Sequence, residues 1–316
     1  VTGVQTCALP ISHIEWTDAT WSPVTGCTKV SPGCERCYIE RTPPFRMNGR
    51  KFDKPGIGGS TGVQLHPDRL WKPLTWRKPR KVFVCSMADL FHDDVPDEYI
   101  AKVFAVMART PQHTFQVLTK RHARMRSLLS SQNFENEALF ELRYPLSMTS
   151  RSEPLPSWPL PNVWLGVSAE DQQRADLRIP ALLETPAAVR WVSAEPLLGP
   201  INFRPWFWSA DRDEVLPGLD WLVVGGESGP GARPMHPQWA RGIRDQCEEA
   251  GVPFLFKQWG EYGYLDDLPA DTWMSVDVKW NPVWAHFPDG MVRVGKRAAG
   301  RVLDGQTHDE YPAARS

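Results

Sequence analysis

The chain lacks any run of about 18 apolar residues, the length a membrane-crossing helix requires, so no bilayer span is expected. It lacks an excess of either charge: 36 Lys and Arg stand against 37 Asp and Glu, for a net charge of -1. Nothing therefore pulls the whole molecule toward nucleic acid, although a near-neutral total is compatible with a local basic face. No glycine-rich dinucleotide fingerprint follows any strand-like run, and no fixed-period repeat or low-complexity tract is present. Cysteine is scarce, with 6 in 316 residues, and three of these crowd into one stretch. Val1–Ile11 reads as the in-frame translation of a sequencing-library adapter, with no basic or long apolar region of a targeting signal, so the natural sequence is expected to begin near Ser12. Setting Cys7 aside leaves an odd number of cysteines, which argues against a disulfide framework and for a reducing cytoplasm. What is abundant is tryptophan, at 15, and proline, at 30, which point to a large core and long structured loops.

The crowded cysteines are Cys27, Cys34 and Cys37, spaced C-x6-C-x2-C. Three close thiolates can hold three corners of a [4Fe–4S] cube and leave the fourth iron open. A structural zinc site is normally closed by four protein ligands, and no fourth Cys or His follows within the next twenty residues. Gly26, Pro32 and Gly33 permit the tight turns that wrapping a cluster needs.

Short β-branched and aromatic runs recur along the chain. They are Ala19–Gly26, Lys81–Ser86, Thr114–Leu118, Val163–Val167, Val189–Val192, Leu219–Val224 and Val252–Phe256. Helical patterns at Asp97–Arg109, Arg121–Leu129, Asp171–Leu183 and Pro237–Ala250 fall between several of them. Such alternation predicts an α/β fold, a complete or partial (β/α) TIM-like barrel of parallel strands, with a doubly wound sheet as the alternative. Gln132–Pro161 and Asn202–Gly218 read as insertions. The barrel is expected to span residues 12–262 and a cap and tail 263–316, with strands at Met274–Asp277 and Met291–Val294 around the Asp289-Gly290 turn and a frayed end after Asp304.

Barrel active sites lie at the C-terminal ends of strands. That rim would collect Cys27, Cys34 and Cys37, then Ser86 and Asp89, then Thr119, Lys120 and Arg121. Ser168 and Glu170, Ser193 and Glu195, Gly225, Gly226 and Glu227, and finally Lys257 and Gln258 follow the later strands. Taken together they predict a polar ligand pocket. Two basic runs, Arg77–Lys81 and Arg121–Arg126, have Trp71 and Trp76 nearby and suit phosphate contact plus base stacking, or simply a solvated face.

The runs IEWTDATWSPVTGCTKVSPGCERCY, SMADLFH, LTKR, GVSAE, SAEPL, VVGGESG, FKQWGEY and GRVLDG resemble a phage-associated family of unknown function. Members of that family are described as radical-SAM-like and occur beside a three-Cys-motif partner protein. The resemblance implies a [4Fe–4S] cluster on Cys27, Cys34 and Cys37, S-adenosylmethionine (SAM) on the open iron, and an external electron donor. It implies SAM contacts from Ser86, Asp89, Ser168, Glu170, Glu195, Gly225, Gly226 and Glu227, and substrate contacts from Lys120, Arg121, Lys257 and Gln258. The Gly225-Gly226-Glu227 run is similar to the Gly-Gly-Glu element of radical-SAM enzymes, although there it follows the second strand. Their usual cysteine spacing is C-x3-C-x2-C, with an aromatic residue before the last Cys; here Arg36 takes that place and Tyr38 follows. The substrate, nucleic acid among the candidates, is not written in the sequence. The alternative is a non-catalytic protein-binding or nucleic-acid-binding module stabilised by zinc, with His92 or Cys85 as fourth ligand, or by an iron–sulfur cluster.

Overall fold

The computed structural model of the chain describes residues 14–143, 156–207, 217–264 and 290–313. The adapter-like Val1–Ile11 and the expected strand Met274–Asp277 lie outside these residues. Strand β1 (Ala19–Trp21) leads to a small antiparallel pair, β2 (Val24–Thr25) with β3 (Gln64–Leu65), and between these two runs the cysteine loop followed by the short helix α1 (Pro43–Met47). The turn α2 (Pro67–Leu70) returns the chain to the sheet. Strands β4 (Lys81–Val84), β5 (Thr114–Thr119), β6 (Val163–Ser168), β7 (Val189–Ala194), β8 (Trp221–Gly225) and β9 (Phe254–Gln258) follow. With β1 they form one 7-stranded sheet in the order β1-β4-β5-β6-β7-β8-β9, every neighbouring pair parallel.

Strand order that follows chain order means each crossover moves the same way, so the sheet curls into a half-barrel of partial TIM-like form. A doubly wound sheet would need the order to reverse. Among the described residues β1 and β9 are the two edges, so the barrel is not closed. Helices α3 (Asp97–Ala108), α4 (His122–Leu129), α5 (Gln132–Arg143), α6 (Gln172–Leu183) and α7 (Pro237–Ala250) make the crossovers. Asp171 opens α6 by accepting from the Arg174 N–H at 2.9 Å, an N-cap that satisfies one orphan donor. The concave face carries Phe83, Trp191, Trp221, Val223 and Leu255, and Trp16 packs into them from the strand N-terminal end. Gly166 makes room for this layer: a Cβ there would come within 2.5 Å of the Trp191 ring.

Two expectations need correction. The stretch from Gln132 is not all insertion, because Phe134, Ala138 and Leu142 recur at helical spacing and bury one face of α5. Phe134 meets Phe104 of α3 with ring centroids 5.6 Å apart. Its Ser, Pro and Glu content disguised that periodicity. The expected strand at Met291 is present as Met291–Arg293 and pairs antiparallel with Tyr262–Tyr264, while its expected partner and Asp289 lie outside the described residues. Second, the chain from Asp304 to Ala313 is not frayed. Phe256 N–H donates to the His308 carbonyl at 3.0 Å and Phe254 N–H to the Glu310 carboxylate at 2.9 Å, so the tail covers the open edge of β9. Among the described residues no helix is long and apolar enough to cross a membrane.

Candidate functional site

The cysteine loop leaves β2 through Gly26, whose φ of +95° belongs to the left-handed half of backbone space and whose Cβ position would lie 1.7 Å from the Gly62 carbonyl oxygen. Only glycine fits there. From Cys27 to Tyr38 the loop has little regular structure and is held by charged side chains from four strand ends. Glu170, after β6, is fully buried and accepts the Gly33 N–H at 3.1 Å, while Arg178 of α6 holds its other oxygen at 2.9 Å. Asp89, after β4, accepts from the Thr119 hydroxyl at 2.6 Å, the Lys120 N–H at 3.0 Å and Arg121 at 3.1 Å. Arg121 in turn donates to the Cys27 sulfur at 3.7 Å and the Thr28 carbonyl at 3.3 Å. Glu227, after β8, is gripped by Arg233 at 2.6 and 2.8 Å, and Arg233 reaches on to the Pro32 carbonyl at 3.0 Å. Tyr38 donates its hydroxyl to the Ser86 carbonyl.

Beneath the loop lies a cavity of about 410 Å³. Cys27, Cys34 and Cys37 line it, together with Ser86, Asp89, Lys120, Arg121, Ser168, Glu195, Gly226, Glu227, Lys257 and Gln258. The structure therefore brings most of the sequence-predicted site residues to one mouth. Glu170 and Gly225 are not on the cavity wall: Glu170 sits behind the loop, and Gly225 backs onto the Glu195 side chain, which a Cβ would approach to 3.3 Å. Lys257 shares its ammonium between both Glu195 oxygens at 2.7 Å each, and the Gln258 amide donates to the same carboxylate at 3.2 Å. Ser168 and Ser193 stand in register on β6 and β7, each only 2% exposed. Both line the cavity, and among the described residues neither hydroxyl has a protein partner. Ile14, Trp16, Phe83 and Leu118 also line it, so the polar groups are set in a wall that is largely apolar.

Burial pushes the Cys27 thiol up to about 12, with the Asp89 carboxylate adding to the effect and Arg121 opposing it. Burial also raises Cys37, partly offset by a backbone hydrogen bond at Ile39 and by the charges of Lys120 and Lys29. Burial alone would raise Glu170, yet Lys120, Arg178 and hydrogen bonds from Ser31 and Gly33 hold its carboxyl below the ordinary range. The carboxylate behind the loop is thus favoured in its charged form, and Cys27 and Cys37 in their protonated form in the absence of a cation. Cysteine thiols are soft donors that suit iron–sulfur or zinc centres once deprotonated. Among the described residues no group of three or more His, Cys, Asp or Glu is already drawn together around one metal position.

His92 has both ring nitrogens engaged, Nε2 with the Thr28 hydroxyl at 2.9 Å and Nδ1 accepting the Asp94 N–H at 3.1 Å. It does not line the cavity, whereas Cys85 does, 3% exposed and raised by burial to about 12. The two basic runs do not form a shared face at the mouth. Arg121 is spent on Asp89, Arg124 on Asp97 at 2.5 Å and Arg126 on Glu184 at 2.5 Å. Arg77 and Lys78 lie at the opposite end, just before the start of β4. Sequence reasoning missed Arg178, Arg233 and Tyr38. The last was signalled by its place beside Cys37, whereas the two arginines lie eight and six residues beyond their carboxylates with no spacing that marks them.

A family described as protein of unknown function (DUF5131) matches residues 11–312. The chain belongs to that family. The match takes in the cysteine loop, all seven strands of the half-barrel and the tail along β9, so loop, cavity and clamping residues fall within one family unit. No curated protein and no solved structure matches the chain.

Proposed function

We propose that this chain is a radical-SAM-like iron–sulfur enzyme. Cys27, Cys34 and Cys37 hold a [4Fe–4S] cluster, and the cavity beneath receives SAM and the reacting part of a substrate. The observation that carries the reading is that the three loop thiols open onto the same cavity as the polar groups ending β4 to β9, although among the described residues they are not drawn together around one point. When bound, the pair supplies one-electron cleavage of the sulfonium, with the electron from an external reductant, and hydrogen abstraction from an unactivated carbon. The rest is done by the chain. Glu170 and Arg233 fix the loop backbone, Arg121 offsets thiolate charge at Cys27, and the Ser168 and Ser193 hydroxyls are open to a polar ligand. Glu227 is committed to Arg233, so Glu195, with Lys257, is the carboxylate whose partner a ligand can compete for. The phage setting and the three-Cys-motif partner protein belong to this proposal on sequence resemblance alone, and a cytoplasmic location on the cysteine pattern.

Anaerobic reconstitution with iron and sulfide tests it. The expected result is a brown protein with about four Fe per chain, bleached by Cys27→Ala, Cys34→Ala or Cys37→Ala but not by Cys247→Ala in α7. Incubation with SAM and dithionite should then release 5′-deoxyadenosine. A colourless chain that binds zinc instead would replace the enzyme with a metal-stabilised binding module.

A further inference from the structure

The excursion between β2 and β3 has a charge arrangement that the enzyme reading leaves unexplained. From Glu35 to Lys54 it carries three acids, and all three are engaged. Glu35 meets Arg233 at 3.3 Å, Glu40 accepts the Phe52 N–H at 2.6 Å, and Asp53 accepts the Ser60 N–H at 2.8 Å. The bases divide. Arg41 and Arg50 turn inward onto backbone carbonyls at Ser228, Thr61 and Gly62. Arg36, Arg46, Lys51 and Lys54 are exposed, and among the described residues none of the four side chains has a hydrogen bond or ion pair. The excursion folds against the cysteine loop, with Lys29 over the Phe52 ring at 4.1 Å, Arg36 lines the cavity itself, and six bases stand against three acids from Glu35 to Lys54. Tyr38, 46% exposed, stands at the same opening and lines the cavity.

We infer that this rim binds a single-stranded nucleic acid, its phosphates on Arg36, Arg46, Lys51 and Lys54, one base stacked on Tyr38 and the next nucleotide in the cavity against the Ser168 and Ser193 hydroxyls. The inference rests on the cavity being the substrate site, not on the cluster. A flexible anionic backbone matches a row of uncompensated cations, and an exposed ring beside them offers the sequence-tolerant stacking that single strands use. A cavity of about 410 Å³ suits one unpaired nucleotide, whereas a duplex would keep its bases out of reach. A net charge of -1 makes the attraction local to this rim.

The test is fluorescence anisotropy of the full chain, with no metal added, against a fluorescein-labelled twelve-nucleotide oligothymidylate. Three or four phosphate contacts give an affinity that falls with salt at a log–log slope of about -2 to -3. Arg46→Ala/Lys51→Ala/Lys54→Ala together should weaken binding at least tenfold and flatten that slope by about 2. Tyr38→Ala should cost about tenfold while Tyr38→Phe keeps the affinity, since stacking needs the ring and not the hydroxyl. Arg77→Ala/Lys78→Ala, at the other end of the sheet, should change nothing. Absent binding, equal binding of duplex DNA or polyglutamate, or an equal loss in the Arg77/Lys78 variant would overturn the proposal. Oligonucleotide binding without SAM cleavage would remove the enzyme reading and leave this one; SAM cleavage without oligonucleotide binding would do the reverse.

Discussion

The two ends of the half-barrel are built from the same strands and obey opposite rules. At the N-terminal end Trp16, Trp191 and Trp221 meet with ring centroids 5.1 to 6.4 Å apart, and the space between strands is filled with carbon. At the C-terminal end the space is a cavity with charged groups in its wall, and Glu170, Asp89, Arg121, Glu227 and Arg233 are each tied to the loop or to another charge. A filled end needs only shape and volume. An open end needs every buried charge paired, because an unpaired one costs more than the pair gains. Stability therefore belongs to the first end and positioning to the second, and substitutions at the two ends should separate these properties.

Trp191→Ala should have the largest effect. It removes a fully buried ring at the centre of the aromatic layer and leaves a void lined by Trp16, Trp221 and Gly166, a loss of about 3–5 kcal/mol in denaturant unfolding. Below its midpoint the variant should keep the native reactivity of Cys27, Cys34 and Cys37 toward a thiol reagent. A loop that loosens in step with the aromatic end would merge the two regions.

Glu170→Ala comes next, at about 3 kcal/mol, because it strands a buried Arg178 and frees the Gly33 N–H. Here the thiols should become markedly more reactive at the same fraction folded, since the loop has lost its anchor. Glu170→Gln should restore much of the reactivity pattern by keeping an acceptor for Gly33. If both variants leave the thiols unchanged, Glu170 stabilises α6 and positions nothing.

How much of this was legible beforehand follows the same division. Parallel strands buried on both faces write themselves as continuous apolar runs such as Leu219–Val224, so seven strands and four helices could be read within a few residues. The rim was legible as a set because polar residues ended each run. The partnerships were not, since Glu170, Glu195 and Glu227 look alike in sequence, each an acid just past a strand. Only the fold reveals that the first faces Gly33 behind the loop, the second faces Lys257 across the cavity and the third faces Arg233. A local pattern records burial; it does not record which distant cation arrives beside a carboxylate. The α5 helix was hidden for another reason, its three buried positions being diluted by Glu, Asn and the exposed Phe140 on the other face.

Gly26→Ala probes the join between sheet and loop. The new methyl group would require both the left-handed backbone and the space of the Gly62 carbonyl, so the loop start must shift. The expected cost exceeds the roughly 1 kcal/mol of an ordinary Gly-to-Ala conformational mismatch. It should appear as faster hydrogen exchange at the Thr61 and Lys29 amides, whose bonds to the Cys27 and Gly59 carbonyls close the loop base, with the strand amides unaffected.

Lys257→Met should have the smallest effect on stability and the most selective effect on binding. Its ammonium and the Glu195 carboxylate are 13% and 18% exposed as side chains, each open to the cavity, so the pair is screened more than Glu170–Arg178, whose side chains are 4% exposed or less. Methionine keeps the length of the stem and its contacts while removing the charge. Glu195 retains the Gln258 amide as a donor at 3.2 Å, so the carboxylate is not left alone. The unfolding free energy should fall by about 1 kcal/mol or less. Binding of a ligand that engages Glu195 should change by far more, because the carboxylate no longer has a lysine to be shared with. Isothermal titration with SAM and chemical denaturation on the same preparation measure both quantities. A stability loss as large as that of Glu170→Ala would show that the Lys257 pair belongs to the frame of the mouth and not to its ligand-facing wall.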